Sequence, residues 1–246
     1  MIKLIITVIA SAENKLYKSF IYDYWYYFIK YLNTTTDIKV FLLFSNKEQN
    51  LSTVNNLLTS EIKDNIRVYD VNEDGPVGQP GCLQKTILCF KEIVENENFD
   101  FVLRTNLSTI FLPDRLLLFL NMYDPSEKII LGSITNNCAS GCGYILSKQL
   151  LIEFLKYSDK VNLKAPDDVS SYSIIRHYCK PYKIIQKKYF KMESFGLDHK
   201  LWDSQIKSLY NEIINNPDIM HIRLKNQKNR NFDIEFQKYF IKNYLR

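Results

Sequence analysis

Residues 99–109, FDFVLRTNLST, constrain the fold of this chain most. An apolar run, Phe101-Val102-Leu103, stops abruptly in short polar side chains: Thr105, Asn106, Ser108 and Thr109. Strands buried on both faces of a parallel sheet read as continuous apolar runs rather than as alternating ones. In open α/β sheets, ligands bind just outside the carboxyl ends of such strands. Polar groups gathered at that end are therefore placed to face a ligand, and a strand followed by a polar turn is the plainer alternative.

The rest of the chain repeats the pattern. Residues 2–9 read as a first buried strand and 13–33 as an aromatic-rich helix. Strands at 39–44, 66–69, 99–105 and 128–131 alternate with helices at 51–63, 82–96 and 113–120. Pro113 opens the last of these from the favoured first position. The segment 72–81, NEDGPVGQPG, carries three of the seven glycines and two of the seven prolines, which marks a loop of unusual dihedrals. Residues 136–147 read as a loop entering a short strand, in which Gly141 and Gly143 permit close backbone approach. Helices at 148–157, from Pro166 onward, ending at 211–214 and at 232–245 follow, with strands at 182–185 and 219–224. Alternating strands and helices predict an α/β protein with a mostly parallel sheet flanked by helices. No repeat, low-complexity segment or linker interrupts 1–246, so one domain is expected.

Composition narrows the function classes. The chain has 246 residues, 46% apolar and 24% charged, as expected for a globular domain. Its net charge of +5 suits anionic small molecules or surfaces. The charge lacks the dense basic stripe of a nucleic-acid binder, so no nucleic-acid partner is expected. The five cysteines, Cys82, Cys89, Cys138, Cys142 and Cys179, have no metal-ligand spacing. Their odd number favours reduced thiols and an intracellular, cytoplasmic location. The apolar start, MIKLIITVIAS, is too short to span a bilayer and lacks a cleavage site, so no transmembrane anchor is expected.

Three constellations carry candidate chemistry. Asp167-Asp168 follows Pro166 at a predicted helix start, where the macrodipole favours carboxylates. Asp168 is also the candidate general base, a carboxylate at a pocket rim that takes a proton from an attacking hydroxyl. In GQPGCLQKT, residues 78–86, Lys85 lies near a helix start, where backbone N–H groups and an ammonium together suit phosphate. His221, in DIMHIRLKN, reads as a structural histidine or a metal ligand. The polar end of strand 99–105 suits a nucleotide, a sugar or a hydrated cation. GxSxG, HExxH, CxxC, the P-loop spacing and a GxGxxG after the first strand are all absent.

In motif order, these pieces resemble GT-A fold glycosyltransferases. They are similar to the β-1,3-galactosyltransferase and Fringe-like families and to short glycosyltransferase-like proteins of large DNA viruses. The carriers are Leu83-Gln84-Lys85-Thr86, Arg104-Thr105-Asn106-Leu107-Ser108, Gly141-Cys142-Gly143-Tyr144-Ile145-Leu146-Ser147 and Asp167-Asp168-Val169, followed by a late His221. The resemblance implies transfer of a sugar, with inversion, from a nucleoside-diphosphate donor, UDP-linked, to a hydroxyl of a glycan or glycoprotein. A viral member would act in the host cytoplasm. It implies a donor half over residues 1–110, with Ser11, Lys85, Arg104, Asn106 and Ser108 at the nucleotide, and an acceptor half over 111–246. Gly141, Gly143, Tyr144 and Asp167 fall on the acceptor side, and Asp168 falls on the catalytic base. Asn106 and Ser108 fall on the family's metal-binding Asp-x-Asp positions, with His221 as third ligand. Neutral side chains at the first two positions imply weak Mn2+ or Mg2+ binding held mainly through the donor diphosphate, or metal independence. Lys85, Arg104 or Arg223 would then neutralise the leaving group. A non-catalytic nucleotide- or glycan-binding protein on a degenerate GT-A fold is the alternative. All of this requires one cleft with Asn106 at its floor and Asp168 at its lip.

Overall fold

The computed structural model describes residues 2–12, 15–35, 37–47, 51–71, 80–187, 190–192, 199–225 and 229–245. Most of the loop expected at 72–81 lies outside these residues. The elements follow in the order β1 (Leu4–Ile9), α1 (Lys15–Phe20), a π-helical turn (Ile21–Trp25), α2 (Tyr26–Thr35), β2 (Ile38–Ser45), α3 (Leu51–Leu58) and β3 (Ile66–Tyr69). Then come α4 (Pro80–Asn96), β4 (Phe101–Asn106), β5 (Thr109–Phe111), α5 (Pro113–Leu120), β6 (Ile129–Ile134), β7 (Ala139–Ser147) and α6 (Lys148–Lys156). The chain continues through α7 (Asp167–Tyr178), β8 (Lys183–Gln186), β9 (Phe190–Met192), α8 (Trp202–Asn215), β10 (His221–Leu224) and α9 (Arg230–Tyr244).

Among the described residues, seven strands form a sheet in the order β3-β2-β1-β4-β7-β6-β8. β3, β2, β1 and β4 run parallel, β7 runs against both β4 and β6, and β8 returns parallel to β6. All six residues of β1 are buried, as the apolar run required of a strand covered on both faces. Leu4, Ile6, Val8, Phe101 and Leu103 face one layer, which takes in α1, α2, α5, α8 and α9. Ile5, Ile9 and Val102 face the other, built from α4, α6 and α7. This period-two division sends each strand's side chains to two separate cores.

Three local devices position the site. Ser147 caps α6 by accepting the Leu150 N–H, so β7 passes directly into a helix. Arg115 donates to the carbonyls of Ile213, Ile214 and Asn216 at the end of α8, and to that of Ile219 in the segment leading to β10. The π-helical turn carries Trp25, whose Nε1 donates to the Leu107 carbonyl at 3.0 Å and ties down the turn between β4 and β5. A small second sheet, β5-β10-β9, lies beyond that turn.

The expected α/β architecture is present, with differences in detail. The segment expected as a loop before a short strand is the nine-residue β7, and it is antiparallel. The three-residue strands β5 and β9 are too short to carry an alternating pattern, and the sequence shows no sign of them. The helix expected at 51–63 stops at Leu58, after which Lys63–Asn65 forms a single 3-10 turn.

Candidate active site at the end of β4

The register sets the stage. Ile9 pairs with Asn106, and Arg104 pairs with Tyr144, so the carboxyl ends of β1 and β4 lie side by side with β7 next to them. β7 is irregular there. Gly132 of β6 pairs with Tyr144 and Ile134 with Ala139, so the stretch Ser140–Gly143 bulges. Bulges re-aim backbone groups and are common beside active sites.

The bulge presents its carbonyls to β4. Arg104 Nη1 donates to the Gly141 carbonyl at 2.7 Å, and Asn106 Nδ2 donates to the same oxygen at 2.8 Å. Thr105 Oγ1 donates to the Cys142 carbonyl at 2.7 Å. Thr109 Oγ1 lies 3.0 Å from that carbonyl and 3.4 Å from Asn106 Oδ1, and its single proton serves the shorter contact. The Ser108 backbone N–H and hydroxyl both donate to Asn106 Oδ1, at 3.1 and 2.9 Å. The polar residues at the end of β4 thus form a knot that clips the bulge to it.

α7 closes the knot. Its first turn holds Asp167 and Asp168, where the sequence placed them. Arg104 Nη2 forms an ion pair with the Asp167 carboxylate. Asp168 Oδ2 accepts the Gly141 N–H at 3.2 Å, and Asp168 Oδ1 accepts the Val169 N–H at 2.9 Å. A Cβ on Gly141 would lie 3.1 Å from Arg104 Nη1 and 3.3 Å from Asp168 Oδ2, so a larger residue there would push on both side chains. Asp168 is partly exposed, which leaves it open to a ligand. Asn106 and Asp168 therefore both bond to the backbone of Gly141, one at its carbonyl and one at its N–H.

Four expected ligand groups sit elsewhere than predicted. Arg104 is only 3% exposed, and its guanidinium is bonded to Gly141 and Asp167 rather than open at the surface. Tyr144 is buried beside Ser171 of α7, and burial raises its phenol well clear of titration at neutral pH. Gly143 faces Leu103 and Phe111 across the sheet, at 3.5 and 3.6 Å from where a Cβ would stand. Lys85 is fully buried in α4, and its Nζ donates to the Ala10 carbonyl at 3.0 Å, just past β1. It is not the open ammonium at a helix start that the sequence suggested, although it does lie by the carboxyl end of β1. Ser11, nearly buried, follows Ala10 there.

His221 is the largest departure. It stacks on Phe111, with ring centroids 5.7 Å apart, in a space lined by Leu103, Leu131, Gly132, Gly143 and Met220. That space has a volume of about 10 Å3, at the limit of what a single water needs. Burial, helped by the Lys187 charge, pushes the imidazole down to about 3. A histidine in this nest, on the opposite face of the sheet from Asp168, is not the third ligand that the sequence allowed.

The residues at the metal positions also do not fit a hard divalent cation. Such ions prefer carboxylate and other oxygen ligands with free lone pairs. Both lone pairs of Asn106 Oδ1 already accept from Ser108, and the nearby Asp167 is paired with Arg104. Among the described residues, no group of three or more His, Cys, Asp or Glu side chains could hold a metal.

The sequence missed the hydroxyls of Thr105 and Thr109 as clips, because their partners lie 33 to 37 positions away. It named Arg223 as one charge for the leaving group and could not place it. That residue pairs with Thr109 across β5 and β10, while the Leu224 N–H donates to the Ser108 carbonyl at 2.8 Å. A partly exposed arginine thus stands beside the β4–β5 turn. The Arg223-x-Lys225 alternation was the available signal.

No protein-family model matches the chain, and no curated protein does. Solved structures do. The mannosyltransferase PcManGT from Pyrobaculum calidifontis, solved with GDP-Man and Mn2+, is similar at 11% identity and a TM-score of 0.50, over 99% of this chain and 70% of that one. The galactosyltransferase LgtC, solved with donor and acceptor sugar analogues, is similar at 8% identity and a TM-score of 0.50, over 96% of this chain and 95% of that one. Among the described residues no helix is long and apolar enough to cross a membrane. At these identities the likeness speaks for architecture: the chain has the mostly parallel, helix-flanked α/β fold of the GT-A glycosyltransferases.

Proposed function

We propose that this chain transfers a sugar from a nucleoside-diphosphate donor, UDP-linked, to a hydroxyl of a glycan or glycoprotein, with inversion. The observation that carries this reading is the Asp168 carboxylate, held at the Gly141 N–H beside the carboxyl end of β4 on a fold shared with sugar transferases. The donor lies over residues 1–110, past β1 and the β4–β5 turn, near Ser11, Asn106 and Ser108. The acceptor approaches over residues 111–246, between the Gly141 bulge and the first turn of α7.

The chemistry needs few groups. The Asp168 carboxylate takes the acceptor hydroxyl proton as the oxygen forms its bond to the anomeric carbon. The bond from that carbon to the diphosphate oxygen breaks, and the diphosphate leaves with its electrons. Arg223 at the β4–β5 turn meets the developing charge, and buried Lys85 adds positive potential beneath the donor end of β1. A divalent cation, such as the Mn2+ in the mannosyltransferase structure, would reach this site on the donor's own phosphates, and no step here depends on it.

Asp168→Asn tests the reading. Transfer should fall about 10²–10⁴-fold while donor affinity measured by calorimetry holds. Unchanged turnover would remove Asp168 from the role. A second reading, non-catalytic binding of a nucleotide or glycan, is favoured by the neutral, internally bonded Asn106 and Ser108. Release of nucleoside diphosphate from any donor in a panel of UDP- and GDP-sugars excludes it.

A further inference from the structure

Arg104 does more than fill space at the end of β4. Its guanidinium is 3% exposed and reaches two different elements. Nη2 pairs with Asp167 in the first turn of α7, and Nη1 donates to the Gly141 carbonyl at 2.7 Å. The amide of the same Gly141 donates to Asp168 Oδ2 at 3.2 Å. Asp168 is therefore located from two sides, through the backbone of its neighbour Asp167 and through the backbone of Gly141, and both routes begin at Arg104.

We propose that Arg104 is a positioning residue that sets the Asp168 carboxylate through Asp167 and Gly141. The proposal rests on the transferase reading above. The planar fork of arginine matches a carboxylate and a carbonyl together, whereas lysine offers one compact charge. Asn106 also bonds to the Gly141 carbonyl, so the bulge stays attached when Arg104 is changed and only its aim is lost. Misplacing a catalytic group by an ångström can cost about 10²-fold in rate.

The experiment uses the full chain with Arg104→Lys and Asp167→Asn, each alone and in an Asp168→Asn background. Diphosphate release from the nucleotide-sugar panel gives the rate, calorimetry gives donor affinity, and urea melts give stability. Arg104→Lys should lower kcat about 10²-fold with donor affinity held within about twofold. Asp167→Asn should act in the same direction and more weakly. In the Asp168→Asn background, Arg104→Lys should cost nothing further, because groups that act as one unit are not additive. A merely structural arginine would lower both backgrounds by the same factor, and that result overturns the proposal, as does an unchanged kcat. An unmodified chain that turns over no donor in the panel overturns the transferase reading itself, a result seen before any variant is made.

Discussion

The two faces of the sheet treat the same pair of strands in opposite ways. On the α7 face, the ends of β4 and β7 are joined by a guanidinium, two carboxylates, an amide and hydroxyls, with Asp168 left partly exposed. On the other face, the same stretch of β7 turns Gly143 onto Leu103 and Phe111, and His221 is buried among mostly apolar groups with Lys187 beside them. The first region is shaped by directional bonds that leave one carboxylate accessible. The second is shaped by close packing of mostly apolar side chains, with Lys187 at its edge. A residue's chemistry here follows from the face it lands on. A histidine on the α7 face would be a candidate acid or ligand, and on the other face it is a neutral aromatic.

The strongest way to break this contrast is Gly132→Ala. Gly132 sits where the β6–β7 register shifts, with φ at 148°, and a Cβ would stand 3.0 Å from the Gly143 carbonyl. Strain and overpacking together should cost about 2–4 kcal/mol, seen as a lower urea midpoint. The bulge that serves the α7 face and the nest on the other both hang on this glycine, so transfer should fall along with stability. A variant of wild-type stability would mean that the bulge forms without the close approach at Gly132.

His221→Phe sharpens the contrast through pH. The unfolded histidine titrates near its ordinary value of 6.5, whereas burial holds the folded one down to about 3. Below pH 6.5 the unfolded chain gains a proton that the folded chain refuses, so stability falls as pH falls across that window. Between pH 6.5 and 5 the wild type should lose about 1.5 kcal/mol more than His221→Phe, which keeps the ring on Phe111 and has nothing to titrate. Parallel pH curves for the two proteins would place a charged imidazole in the fold and undo the apolar account of this nest.

How much of this was legible beforehand depends on distance along the chain. The apolar runs of β1 and β4 announced strands buried on both sides, and Pro166-Asp167-Asp168 announced a helix start, because local sterics and the macrodipole act over a few residues. The direction of β7 was not legible, since an antiparallel strand buried on both faces carries the same apolar run as a parallel one. The bulge was not legible either, because it exists only relative to Gly132 and Ile134 of a neighbouring strand. For the same reason Asn106 and Ser108 read as groups waiting for a ligand, when their partners are each other and Gly141. Spacing gave the position of His221 and could not give its face.

Asn106→Asp tests that last point with the smallest expected effect. The substitution restores the acid at a position where the resembling families carry one. It also replaces the Nδ2 donor, 2.8 Å from the Gly141 carbonyl, with an oxygen that cannot donate. Two acceptors then face each other, while the other carboxylate oxygen still takes both donors from Ser108. The lost bond and the repulsion outweigh the stronger Ser108 contacts by about 1 kcal/mol, so the melting temperature should drop slightly. Millimolar Mn2+ should raise the melting temperature of the variant no more than it raises that of the wild type, because one acidic oxygen already engaged by two donors is a poor ligand for a hard cation. A saturable, Mn2+-specific stabilisation of Asn106→Asp would show that the knot opens readily. The α7 face would then hold a dormant cation site one substitution from use, and its contrast with the buried histidine nest would be one of charge alone.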